Sequence, residues 1–219
     1  MDLIQTDVNR VVVGLGLTGL STMRYLQRRG LSFVAVDTRE EVENIELIGK
    51  QFPGVKIVLG EAATDVVDRA DEIYLSPSLP ISHPMLETAR ARGCSITGDL
   101  DLFSEEVEQP VIAITGTNGK STVTELVGEF AKESGLRTAV AGNIGTPMLD
   151  VISPEYECYV LELSSFQLER ASKFKPQVGC ILNVSADHID HHGGMLQYQQ
   201  AKQRIYQGAN IAVFNRDDN

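Results

Sequence analysis

Two short runs in this chain have the residue types and spacing of phosphate-binding turns. The first, VVVGLGLTGLS from Val11 to Ser21, sets Gly14, Gly16 and Gly19 as G-x-G-x-x-G after an apolar run and before a helix-like stretch. Glycines at that spacing allow a tight turn, close backbone approach, and a diphosphate seated on the amides at a helix mouth. Asp37 ends the next apolar run, near the offset of about 20 residues expected of a carboxylate that accepts hydrogen bonds from a ribose or base. Alone, this pattern favours NAD; the bland alternative is that the glycines only let a helix pack on a strand.

The second run, VIAITGTNGKST from Val111 to Thr122, departs from the strict P-loop pattern G-x-x-x-x-G-K-[ST], because Ile114 stands where the first glycine belongs. The chemistry of a phosphate site is still there. Gly116 and Gly119 let amides converge, Lys120 has the reach for a terminal phosphate, and a Ser121 or Thr122 hydroxyl suits Mg²⁺.

Each turn needs a sheet and helices to hold it. Short Val- and Ile-rich runs alternate with amphipathic stretches: VVVG, LSTMRYLQRRG, SFVAVD, KIVLG and EIYLS follow one another, then a helix near His83 to Arg92 and the strand CSITG. That rhythm predicts a parallel sheet flanked by helices. It restarts at PVIAIT, with the helix KSTVTELVGEFAKESG and strands near TAVAG, CYVLELS, VGCILN and IAVFN. The acidic segment 98–108 reads as a linking helix. The expected organisation is α/β throughout: a Rossmann-like parallel-sheet domain over 1–93, then the first part of a P-loop-type domain over 94–219.

Composition narrows the function classes. The 219 residues include 30 acidic and 19 basic side chains, a formal charge of -11 that repels polyanions. Nucleic acid is therefore not an expected partner. Cys94, Cys158 and Cys180 have no metal-ligand spacing, and the last two sit in apolar runs, which suits a reducing cytoplasm. No basic leader and no apolar run near 18 residues is present, so neither export nor a membrane partner is expected.

Taken together, GLGLTG with DTR, then GTNGKST, GNIG, LELSSFQLE, ILNVSADHID and AKQRIY resemble the Mur ligases, in their MurD type, over nearly the whole chain. GTNGKST alone would fit any Mur ligase or a folylpolyglutamate synthase; LELSSFQL with GLGLTG and DTR narrows it to the D-glutamate-adding type. The resemblance implies a cytoplasmic, monomeric, ATP-dependent and ADP-forming amide ligase. It would join D-glutamate to UDP-MurNAc-L-Ala through an acyl phosphate in peptidoglycan precursor synthesis. Residues 94–219 would then be part of the Mur ligase central ATP-binding domain. The family's C-terminal domain is absent from the sequence, so a piece of a longer protein is expected, one that binds the UDP-substrate without turnover.

The resemblance also implies residue roles. Leu17, Thr18, Asp37, Thr38 and Arg39 would contact the diphosphate and uracil, and Asn143 and Ser164 the muramoyl part. Gly116, Thr117, Asn118, Gly119, Lys120, Ser121 and Thr122 would wrap ATP, with Lys120 neutralising charge on the transferred phosphoryl group. Ser121 and Glu162 would hold a first Mg²⁺, and His188 a second, together with a carbamate formed from CO₂ on Lys202. The carbamate turns a repulsive ammonium into the oxygen anion that Mg²⁺ prefers.

Blander readings stand beside these. Glu162 without its motif is a strand-end carboxylate, and Lys202 a solvated lysine among basic neighbours. His191 and His192 extend HIDHH toward a metal-like cluster but fall outside the motif, and are read as solvated. Ser78 replaces a glycine the family commonly has, which leaves that loop's diphosphate contact open. Two other classes of function compete with the ligase: a nicotinamide oxidoreductase, which leaves GTNGKST unexplained, and a nucleotide-binding module without catalysis.

Overall fold

A computed structural model describes residues 9–187 and 189–218. The chain divides into two compact units, Met1–Gly98 and Asp99–Asn219, each built on one five-stranded, wholly parallel sheet. Among the described residues no helix is long and apolar enough to cross a membrane.

The first unit runs β1 (Arg10–Val13), α1 (Leu17–Arg28), β2 (Val34–Asp37), α2 (Ile45–Gln51), β3 (Ile57–Leu59), α3 (Ala62–Val67), β4 (Glu72–Leu75), α4 (Glu87–Ala91) and β5 (Ser95–Thr97). Its strand order is β3-β2-β1-β4-β5. The chain therefore steps outward from β1 to β3, then crosses back to lay β4 on the other side of β1. In open parallel sheets such a reversal leaves a crevice at the carboxyl ends of the two strands, where ligands bind. Val11, Val12 and Val13 are all buried, which is why β1 reads as a continuous apolar run and not as an alternating one.

The second unit runs α5 (Asp99–Glu106), β6 (Val111–Thr115), α6 (Lys120–Glu133), β7 (Thr138–Gly142), β8 (Cys158–Glu162), α7 (Ser165–Arg170), β9 (Val178–Ile181), α8 (Ile189–His192), α9 (Met195–Gln203) and β10 (Ile211–Phe214). The order β10-β9-β6-β8-β7 puts β6 at the centre, with the reversal again beside the strand that feeds the glycine turn.

Two sequence expectations change here. The division expected after Gly93 falls before β5, which pairs with β4 in the first sheet. Gly93 ends α4 with a φ of +75°, so it looks like a terminus although the chain returns for one more strand. The acidic helix α5 is not a linker. Its Phe103 ring meets Tyr159 edge-on at 5.2 Å, and buried Leu100 and Leu102 lie on the same helix. Its buried acids have distant partners. Asp99 accepts from the Gln167 amide at 2.7 Å, and Asp101 accepts from the amides of Ser172 and Lys173 at 2.8 and 3.0 Å.

Candidate functional site

The three glycines of the first turn do different work. Gly14 has a φ of +100°, and a side chain there would lie 2.6 Å from the Ser76 Cβ. A Cβ on Gly19 would sit 1.7 Å from the Gly14 carbonyl oxygen. Both are demanded by the fold. Gly16 is not: its φ is -83° and nothing lies within 4 Å of the Cβ position. Packing and backbone strain leave Gly16 unexplained, whereas close approach of an outside group explains it. Gly16 precedes α1, whose first turn has no side-chain cap, so its amides are free to face an anion. A cleft of about 350 Å³ opens here, lined in part by Gly16, Thr38, Arg39, Ser78 and Leu79. Leu17 is exposed on the first turn, and the Thr18 carbonyl accepts the Thr22 hydroxyl at 3.0 Å.

Asp37 departs from its expected role. Its carboxylate accepts four hydrogen bonds from the chain itself: the Leu15 amide at 2.7 Å, the Arg39 amide at 3.0 Å, and the Arg39 guanidinium at 2.9 and 2.8 Å. A carboxylate offers about four lone-pair sites, so the chain itself engages this one fully, although Asp37 also lines the cleft. Burial works to raise this carboxyl, but the Arg39 side chain and the two amides outweigh it and hold it below the usual range. Asp37 thus fixes the glycine turn through Leu15 and aims Arg39, which stays half-exposed at the cleft. The charge pair is two residues apart in sequence and was legible there; its saturation was not.

The second cradle gathers at the carboxyl ends of β6 and β8. Gly119 enters α6 with a φ of +78°, and α6 also lacks a side-chain cap. Asn118 and Thr122 are exposed along the loop and first turn. Lys120 donates to the Thr117 carbonyl at 2.9 Å. Ser121 donates to one Glu162 oxygen at 2.8 Å, and the Asn143 amide donates to the other at 2.9 Å. Asn143, expected to reach a substrate, is here a partner of Glu162.

Glu162 is 2% exposed, and its two carboxyl oxygens are held by neutral donors, the Ser121 hydroxyl and the Asn143 amide, so a cation beside it would find oxygen ligands not already engaged by a basic side chain among these partners. A hydroxyl beside one carboxylate is also a donor set Mg²⁺ accepts, the rest of its shell coming from phosphates and water. The residues fit the ion. Among the described residues no group of three His, Cys, Asp or Glu forms a metal cluster. His188 lies outside the described residues.

Lys202, on α9, is 2% exposed and not the solvated lysine of the blander reading. It donates to the Gly116 carbonyl at 2.9 Å and lies 4.7 Å over the Tyr198 ring. Burial, and then the charge of Lys120, push the Lys202 ammonium down to about 8, against an opposing pull from Asp187.

Ser164 caps α7 in a reciprocal box: it accepts the Gln167 amide at 3.2 Å while the Gln167 side chain accepts the Ser164 amide at 3.0 Å. Its hydroxyl already has a structural duty beside the one expected of it. His192 is buried, with Nε2 2.9 Å from the Ser165 hydroxyl and its ring stacked on Phe166, so the expectation that it is solvated fails. Sequence reasoning missed Asn183 and Tyr198. Tyr198 stands four residues before Lys202, one helical turn away, a signal that was available. Asn183 lies within the motif ILNVSADHID, but nothing local showed its contacts, because its partners belong to a neighbouring strand's loop.

Residues 8–98 match the family described as "Mur ligase MurD-like, N-terminal domain", and residues 114–219 the "Mur ligase middle domain". A Legionella pneumophila protein named UDP-N-acetylmuramoylalanine--D-glutamate ligase is 52% identical over 210 residues, covering 95% of this chain and 47% of its own length. A Pseudomonas syringae protein of the same name is 48% identical over 218 residues, covering 100% of this chain and 49% of its own. The chain spans about half the length of these relatives. Among solved structures, the UDP-N-acetylmuramate:L-alanyl-gamma-D-glutamyl-meso-diaminopimelate ligase from Neisseria meningitides superposes with a TM-score of 0.60 at 17% identity. That alignment covers 96% of this chain and 72% of that one, and it shows the shared fold.

Proposed function

This chain belongs to the Mur ligase family, and from that premise we propose that it carries the UDP-substrate turn and the ATP turn of a D-glutamate-adding ligase. The first unit binds UDP-N-acetylmuramoyl-L-alanine, with the diphosphate on the amides around Gly16, Leu17 and Thr18. Thr38 and Arg39 hold the uridine end. The second unit binds ATP on the mouth of α6. The reaction of the whole protein forms a bond between the L-alanyl carboxylate oxygen and the γ-phosphorus as ADP leaves. The D-glutamate nitrogen then bonds to the acyl carbon as phosphate leaves, and the amine gives up a proton.

The observation that carries this reading is the assembly of Lys120, Ser121, Glu162 and Lys202 around one uncapped helix mouth. Amides there hold phosphates, and the Lys120 ammonium has the reach to neutralise charge on the phosphoryl group in transit. Ser121 and Glu162 would hold Mg²⁺, which when bound supplies charge neutralisation at the phosphates. Lys202 deepens the same reading. With its ammonium pushed down to about 8, more of the amine is neutral near pH 7 than for an exposed lysine, and the neutral amine is the form that adds CO₂. A carbamate on Lys202 would supply oxygen ligands to a second ion, to which His188 would also contribute.

The nicotinamide reading leaves the second glycine turn, with Lys120, Ser121 and Glu162 around it, without a role. Calorimetry on this chain separates the classes. UDP-MurNAc-L-Ala and Mg·ATP each bind, UDP-MurNAc-L-Ala more tightly than UDP, and Arg39→Ala weakens the first ligand about tenfold, or ~1.4 kcal/mol. Failure of both ligands, or NADH binding as tightly as either, ends the proposal.

A further inference from the structure

The residue that does most to shape the ATP turn lies outside it. Asn183 follows β9, the strand beside β6, and its side chain crosses to the glycine loop. The carboxamide oxygen accepts the Thr117 amide at 3.2 Å and the Asn118 amide at 2.9 Å, while its NH₂ group donates to the Asn118 carbonyl at 3.0 Å. Its own backbone carbonyl also accepts the Thr117 amide, at 3.0 Å. Two residues on, the Ser185 amide donates to the Thr117 hydroxyl at 3.0 Å, and that hydroxyl lies 3.2 Å from the Ser185 carbonyl. The contact is tight on the other flank too: a Cβ on Gly116 would come within 3.1 Å of the Leu182 Cβ.

These bonds decide which amides can serve a phosphate. In a glycine-rich phosphate loop successive amides converge on the anion. Here the amides of Thr117 and Asn118 are turned onto Asn183 instead, which leaves those at the mouth of α6. A loop with left-handed Gly119 and an exposed Asn118 would otherwise sample many conformations, each lost at a cost when ATP binds. A clamp made within the protein removes that cost beforehand.

We propose that Asn183 is a positioning residue for the nucleotide: it holds the loop Gly116–Gly119 against the strand-end loop 182–185, so that the α6 amides and Lys120 stand ready for the triphosphate. The proposal rests on the ATP reading given above. Asn183 touches no reacting atom; it acts through the loop.

The test uses this chain with Mg·ATP, held well below its melting temperature. In Asn183→Ala, affinity for Mg·ATP falls about tenfold, UDP-MurNAc-L-Ala affinity stays within a factor of about two, and the Asn118 amide exchanges with solvent at least about tenfold faster. Asn183→Asp keeps an acceptor oxygen for the two amides at nearly the same volume, so the Asn118 amide stays protected in it; this second variant also reads the clamp if the alanine variant folds poorly. Unchanged Mg·ATP affinity in a folded Asn183→Ala, or an Asn118 amide that exchanges at the parent rate in that variant, overturns the proposal while the ATP reading stands. A parent chain that does not bind Mg·ATP at all brings down the ATP reading, and the nucleotide role of Asn183 with it.

Discussion

The two glycine turns solve one problem, fixing amides at a helix mouth, by opposite means. In the first, a buried carboxylate holds the turn and is neutralised on the spot by Arg39, so the turn is braced by a closed charge pair. In the second, a neutral carboxamide braces the loop, and the charges are left open: Glu162 with neutral partners, Lys202 forced into a buried position, Lys120 on its own loop. On the proposed function, the first turn would only have to bind, and its charges can be cancelled; the second would have to meet phosphoryl charge in transit, which suits charged groups held at the site without a mutual ion pair.

The largest effect should come from breaking the first turn's packing. A methyl on Gly19 overlaps the Gly14 carbonyl at 1.7 Å, and because both partners are backbone nothing can give without moving β1 against α1. Gly19→Ala is expected to cost about 4 kcal/mol or more and to unfold the first unit at moderate urea, while the second unit keeps its own transition. Urea melts followed by a probe in each unit would check this. A fully folded Gly19→Ala with parent stability would mean the turn is not built as described.

A smaller effect measures the open charge of the second turn. The folded-state value of Lys202 is about 8, below its ordinary 10.5. Between those values the unfolded chain binds more protons than the folded one, so this group makes stability rise with pH across that window; the full penalty stands below about 8 and is gone above about 10.5. Lys202→Met removes the penalty and also the bond to Gly116. In CO₂-depleted buffer at pH 7 the variant should be more stable than the parent by roughly 1–2 kcal/mol, with the gain shrinking toward pH 10.5. A difference that does not depend on pH would show that the ammonium is not held against its desolvation.

Much of this architecture was legible in the chain, and the gaps have a common cause. Apolar runs marked the central strands β1, β6 and β8, because strands buried on both faces have no polar alternation to hide them. The glycine turns, Lys120 and Ser121 were singled out by motif, and Glu162 by the family resemblance alone. What failed were polar groups whose partners are far off in sequence. Helix α5 looked like a linker because it is acidic, yet Asp99 and Asp101 bond to residues some seventy positions later. His192 looked solvated until Ser165 and Phe166 covered it. Asn183 passed unnoticed because nothing local says that β9 lies beside β6. Burial of a polar side chain is decided by strand order, which a single sequence does not print.

The finest test of the comparison sets Gly16 against its neighbour Gly19. Both belong to one motif, yet only Gly19 is required by the fold; a Cβ on Gly16 meets no atom within 4 Å, and its φ of -83° suits any residue. Gly16→Ala should therefore leave the urea midpoint of the first unit unchanged to within about 0.5 kcal/mol. A ligand that comes close to the backbone there would feel the new methyl as a displacement of its diphosphate from the α1 amides. Affinity for UDP-MurNAc-L-Ala should then fall about tenfold, with Mg·ATP affinity untouched. If Gly16→Ala binds the uridine substrate as the parent does, the first turn is a packing device whose open glycine faces only water, and the contrast between a binding turn and a reacting turn loses its first half.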